Sequence, residues 1–315
     1  MHRPDLSDGE EKRALPALSA LVVVCLLLHF LIDNAVSWGA ERALYALFPK
    51  AAGRLAGREA IRQTALLAGG AAGLTIPFFL FGRAARPAGQ KAFCFGRISL
   101  RGTVQWIGLT AGAFAAARFA CAALRDALFF MGVQFAGGTP PAGAAARAVY
   151  AVNVLLLAPV LEETAFRGVL LGTLRRWGDG FAVSAAAILF AAVHVTPLSW
   201  PNALLLGLLF GAAAVRTDSV AVPAAMHILN NLLALALTAL QNASSALFFT
   251  GRAVFTALLL AAGIAALAFF LKTGGLFPAK EEPADCKAAL RAFFFTLPMG
   301  MLAVFLILTI REAVV

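Results

Sequence analysis

Nine apolar runs punctuate the chain, at about residues 15–37, 63–82, 103–124, 146–174, 181–196, 201–215, 219–240, 253–271 and 293–310. Most approach or exceed the ~18–20 apolar residues that a helix needs to cross hydrocarbon. Strand-like alternation is absent, which disfavours a membrane barrel. The pattern predicts an all-α fold, a polytopic transmembrane helix bundle of about eight to nine spans. Between the first two runs, Lys50, Arg54, Arg58 and Arg62 recur every four positions. That spacing sets a cationic stripe along one helix face and predicts a basic interfacial segment near 39–62. Pro77, Pro159, Pro201, Pro223 and Pro298 fall in or beside the runs and mark kinks or helix starts. Gly-Gly-Thr-Pro-Pro-Ala-Gly at 137–143 reads as a loop. The expected organisation is a polar N-terminal tail at 1–14, transmembrane helices over 15–143, a polar-bearing core at 144–240, and C-terminal transmembrane helices over 241–315.

Composition sharpens this picture. Apolar residues make up 61% of the chain, charged residues 13%, and the mean hydropathy is +0.84. A soluble domain carries about twice that share of charge. Disorder and an ordinary cytosolic globule are thereby excluded, and the chain is expected to be an integral, multi-pass membrane protein. The first run is expected to be a retained span rather than a signal peptide, because the residues before it are many and include acids. The net charge of +10 would suggest nucleic acid in a soluble protein. Here the basic residues sit mostly between apolar runs, so the bilayer is the expected partner and nucleic acid is not. Lys and Arg are in excess on the side shared by the N-terminus and the loops 83–102, 167–180, 216–218 and 272–292. That excess points this side to the cytoplasm, and the stripe at 39–62 runs against it. Cys25, Cys94, Cys121 and Cys286 are scattered and form no Cys-x-x-Cys pair.

Ionisable groups inside spans are expensive, on the order of 2.5–3.5 kcal/mol each at mid-bilayer, and so mark candidate sites. Glu162, Glu163, Arg167, His194, His227, Asn230 and Asn231 all stand in apolar sequence between 159 and 231. In an α-helix adjacent residues point about 100° apart, so Glu162 and Glu163 cannot share a direction. Arg167, four residues after Glu163, is spaced to pair with it. This leaves Glu162 to face a cavity, where a carboxylate serves as a general base or acid. The rival reading is a solvated acidic pair at the membrane surface. Phe190 and His194 lie one turn apart, as do His227 and Asn231, with Asn230 a rival for that second face. Taken singly, His194 reads as a packed residue, and His227 with Asn231 as interhelical hydrogen-bond glue worth about 1 kcal/mol. Together, a carboxylate, two imidazoles and a carboxamide are the inventory for activating water and binding an oxyanion. No Ser or Cys stands in a nucleophilic context. The set also leaves a divalent metal such as zinc open, although no His-Glu-x-x-His pair is present. Elsewhere, His29 and Asp33 are spaced to hydrogen-bond within the first span. Asn242-Ala-Ser244 fits a glycosylation acceptor of little specificity, and Lys280–Asp285 reads as a solvated loop.

Glu162-Glu163-x-x-x-Arg167, Phe190-x-x-x-His194 and His227-x-x-x-Asn231, in that order, resemble the three motifs of the CPBP family. This family comprises the type II CAAX prenyl endopeptidases and bacterial relatives linked to bacteriocin processing and self-immunity. Gly207, Gly211 and the Thr217-Asp218-Ser219 turn are similar too. The resemblance covers about 145–240 and implies an intramembrane endopeptidase acting on a membrane-associated protein or peptide, in a bacterial cell (inner) membrane. It implies that Glu162 and His194 activate water, that His227 and Asn231 form the oxyanion site, and that Glu163 and Arg167 support them. The family is described both as metal-dependent and as glutamate-dependent without metal. Two other functions fit the same polar groups: a proton-coupled transporter, and a non-catalytic membrane binder such as a peptide-sequestering immunity protein.

Overall fold

The computed structural model describes residues 8–85, 100–134, 141–194, 196–241, 245–272 and 286–311. Among them the chain is helical throughout, with no strand element, as the apolar runs require. Among the described residues, seven helices are long and apolar enough to cross a membrane, or up to eight if a pair bent by 67° counts as one span. The protein is an all-α, polytopic membrane helix bundle. The Asn242–Ser244 acceptor, the Lys280–Asp285 loop, Cys94, residues 1–7 and most of the 137–143 loop lie outside the described residues.

The helices are α1 (Asp8–Leu47), α2 (Pro49–Ala52), α3 (Leu55–Ala85), α4 (Leu100–Phe130), α5 (Ala144–Trp177), α6 (Asp179–Ala192), α7 (Trp200–Thr217), α8 (Ala221–Gln241), α9 (Ser245–Lys272), α10 (Cys286–Phe294) and α11 (Leu297–Arg311). They form two compact units, one from 1–91, 137–165 and 287–305, the other from 92–136, 166–286 and 306–315.

In the first unit, α1 and α3 pack as a hairpin. Gly69 and Gly73 on α3 let the chain of α1 approach: a Cβ on Gly73 would stand 2.9 Å from Asp33 Cβ and 3.0 Å from the His29 carbonyl. The expected stripe over 39–62 is not one helix. α1 continues to Leu47, Pro49 starts the single turn of α2, and α3 begins at Leu55. The four cations therefore do not lie along one helix face, because the hairpin turn falls among them. Helix α1 also begins at Asp8, inside the stretch expected as tail. The predicted His29–Asp33 bond gives way to Ser37 Oγ donating to Asp33 Oδ1 at 3.2 Å. His29 Nδ1 is buried without a hydrogen-bond partner among the described residues. Ser19 and Thr296 exchange a 3.0 Å hydroxyl bond, which ties α1 to the bend between α10 and α11.

In the second unit, α4 meets α9 where Gly112 faces Gly263, and a Cβ on Gly112 would stand 2.4 Å from Gly263 Cα. Trp106, Leu109, Leu206, Phe210, Val222, Met226 and Phe270 form the apolar core between α4, α7, α8 and α9. α7 ends at Asp218, in the left-handed conformation (φ 49°) that short polar residues tolerate. Arg175 donates to both Asp179 (2.6 Å) and Asp218 (3.3 Å), pinning that turn to the start of α6. The buried Ser219 hydroxyl accepts the Ala221 N–H at 3.1 Å and helps start α8.

Candidate active site

The carboxylates stand on α5, which is not a uniform α-helix. Pro159 has no N–H to offer the carbonyl four residues back, and its ring crowds that carbonyl. The helix widens just before it: Asn153–Leu157 is π-helical, and the Ala158 N–H reaches the Asn153 carbonyl. Six residues of α-helix follow, Ala158–Glu163. A second π-helical stretch spans Thr164–Leu171. The Thr164 hydroxyl donates to the Val160 carbonyl at 2.7 Å at this second change of pitch. Glu162 and Glu163 therefore sit on a short α-helical step between two bulges, a kind of irregularity that concentrates at functional sites. Glu163 is fully buried and Glu162 half-buried, so the two do point differently, as their adjacency predicts. Both belong to the first unit.

Arg167, Phe190, His194, His227 and Asn231 belong to the second unit, in which Arg167, His194 and His227 gather around the Phe190 ring. Arg167 is 1% exposed and is among the largest wholly buried side chains. Its guanidinium carbon lies 4.3 Å from the centroid of Phe190 and 5.5 Å from that of Phe210. One Arg167 N–H points to the Gly207 carbonyl at 3.4 Å. Gly207 and Gly211 let α7 pack closely on α6: a Cβ on Gly207 would meet Ala187 at 3.1 Å, and one on Gly211 would meet Val183 at 2.9 Å. Two desolvated ring faces at about 1–2 kcal/mol each go far to offset the insertion penalty of a cation in a span.

The Phe190 ring also contacts both imidazoles, at 4.8 Å from His194 and 6.0 Å from His227. Phe210 lies 5.4 Å from His227 on the other flank. His194 follows the end of α6 and is held at three points. Its N–H donates to the Ala191 carbonyl at 3.1 Å, and its own carbonyl accepts Trp200 Nε1–H at 2.7 Å. Its Nδ1 lies 2.7 Å from the Phe190 carbonyl. A carbonyl only accepts, so Nδ1 carries the proton, and Nε2 is the ring nitrogen left to serve as an acceptor in the neutral imidazole. That tautomer suits a base or a water-orienting group rather than an oxyanion donor. On α8, Asn231 lies one turn beyond His227, and its Oδ1 accepts from the buried Asn230 amide at 3.0 Å. With the oxygen engaged, the Asn231 amide is oriented to use its N–H groups as donors elsewhere.

Sequence reasoning singled out neither Phe210 nor Trp200, and it placed Asn230 as a rival to Asn231 rather than its support. Phe210 was visible in principle, since Gly207, Phe210 and Gly211 share one face of α7. Among the described residues, no three His, Cys, Asp or Glu side chains converge to hold a metal ion.

Residues 144–233 match the family described as Type II CAAX prenyl endopeptidase Rce1-like. No curated protein and no solved structure matches the chain. The matched segment contains every motif residue above, from Glu162 to Asn231, and lies within an integral multi-pass membrane protein. Over these residues the chain is similar to the type II CAAX prenyl endopeptidases, the likeness that its three motifs also carry.

Proposed function

We propose that the protein is an intramembrane endopeptidase that hydrolyses peptide bonds of membrane-associated proteins or peptides with water as the nucleophile. The observation that carries this reading is the His194 imidazole, whose tautomer is fixed by the Phe190 carbonyl within the family-matched segment. In the proposed reaction, Glu162 and the Nε2 of His194 orient a water, and Glu162 takes its proton. The water oxygen bonds to the scissile carbonyl carbon. The oxyanion so formed accepts hydrogen bonds from His227 and from the Asn231 amide. Glu162 then returns the proton to the leaving nitrogen, and the C–N bond breaks to give an acid and an amine. Arg167 supports the arrangement by holding Phe190 and Phe210 against the two imidazoles. Glu163 is assigned a supporting role on α5. No step is routed through a metal. The proposed location is a bacterial inner membrane.

The test is turnover of a membrane-anchored peptide in proteoliposomes. Glu162→Gln and His194→Ala are each expected to lower turnover by about 10²–10⁴-fold while the thermal unfolding midpoint is retained. Full turnover in either folded variant overturns the assignment. A peptide that is bound but never cleaved by the unaltered protein would favour the sequestering binder instead.

A further inference from the structure

The turn between α1 and α3 presents exposed cations and exposed apolar side chains together. Arg42, Lys50, Arg54, Arg58 and Arg62 are all exposed. So are Trp38, Leu47, Phe48 and Leu55, the last at 72%. The two nearby acids, Glu41 and Glu59, offset only part of the charge of these five cations. The cations come from both arms of the hairpin and from its turn: Arg42 from α1, Lys50 and Arg54 from the turn, and Arg58 and Arg62 from α3. The turn is also well built. Arg58 Nε donates to the Ala52 carbonyl at 2.6 Å, and the Arg42 guanidinium stacks 4.3 Å from the Trp38 ring.

Length says where this surface lies. The apolar span Ala14–Leu47 has 34 residues. At ~1.5 Å per residue it exceeds a ~30 Å hydrocarbon layer by roughly 20 Å. The last turns of α1, with Trp38 and Tyr45, therefore reach the interface where such residues concentrate. Bare leucine and phenylalanine beside guanidinium groups suit neither bulk water nor hydrocarbon. They suit a layer that offers acyl chains on one side and phosphates on the other.

We propose that the α1–α3 turn is a binding surface for anionic phospholipid headgroups. Lys50, Arg54, Arg58 and Arg62 engage the phosphates, while Leu47, Phe48 and Leu55 dip towards the acyl chains. The occupant is lipid of the surrounding bilayer, selected by charge complementarity.

The test is native mass spectrometry of the full chain titrated with phosphatidylglycerol or phosphatidylcholine. The unaltered protein is expected to retain phosphatidylglycerol selectively. Lys50→Gln combined with Arg54→Gln is expected to weaken that affinity about 25-fold, at roughly fivefold per cation. Arg125→Gln, an exposed cation elsewhere, should leave it unchanged. If the double variant does not fold, the single change at the exposed Lys50 reads the same quantity at about fivefold. Equal retention of both lipids, or equal losses in the double variant and Arg125→Gln, would overturn the proposal. So would inorganic phosphate protecting the protein from thermal unfolding as well as the lipid does, or a polyglutamate peptide displacing the lipid.

Discussion

Two polar stripes in this molecule look alike in sequence and differ in what surrounds them. His29, Asp33 and Ser37 recur every four residues on α1, as Phe190 with His194 and His227 with Asn231 do on their own segments. The first stripe packs onto glycines of α3, and its imidazole has a buried nitrogen without a hydrogen-bond partner among the described residues. The second group is packed by aromatic rings, and His194 has one nitrogen fixed to a carbonyl and the other presented as an acceptor. Equal spacing thus yields a packing seam in one place and an oriented imidazole in the other. What separates them is the partner supplied by neighbouring backbone.

The comparison can be broken first at Arg167. Replacement by Ala removes a buried cation that two rings and a carbonyl face, and leaves a cavity among Phe190, Phe210 and Gly207. A loss of about 2–4 kcal/mol of stability is expected, read as a lower unfolding midpoint in detergent. A midpoint within error of the unaltered protein would show that the rings do not depend on the guanidinium.

A smaller effect sharpens the catalytic side. Asn230→Ala is expected to lower turnover about tenfold with substrate affinity unchanged, because the Asn231 amide loses the donor that orients it. Asn230→Asp, which also lacks that donor, should behave like Ala. An Asp variant with full turnover would show that Asn230 only fills space.

The smallest effect belongs to the seam. Asp33→Asn keeps an oxygen to accept from Ser37, so stability should change by less than about 1 kcal/mol in thermal unfolding. A large loss would mean that the negative charge itself holds α1 against α3.

The helical, membrane-spanning character was legible from run length and composition, because hydrocarbon thickness fixes both. The hairpin turn was not. A four-residue spacing persists through Lys50, Arg54 and Arg58 although the helix breaks at Phe48 and again near Gly53–Arg54. Charge periodicity carries no information about a turn inside it. The motif residues were legible as a set, since ionisable side chains in apolar runs are rare. Their supports were not. Phe210 is one of 26 phenylalanines, and its place on the Gly207–Gly211 face of α7 is a weak signal until the packing of α7 shows that face buried. The 100° rotation assumed for α5 also missed its two π-helical stretches, which Pro159 and Thr164 accompany.

The most direct measurement is a double-mutant cycle on peptide turnover with Glu162→Gln and His194→Ala. If both side chains act on one water, removing the second after the first costs little, and the double variant turns over as slowly as the slower single variant. Losses that multiply across the two positions would show that they act in separate steps, and would contradict the shared-water mechanism.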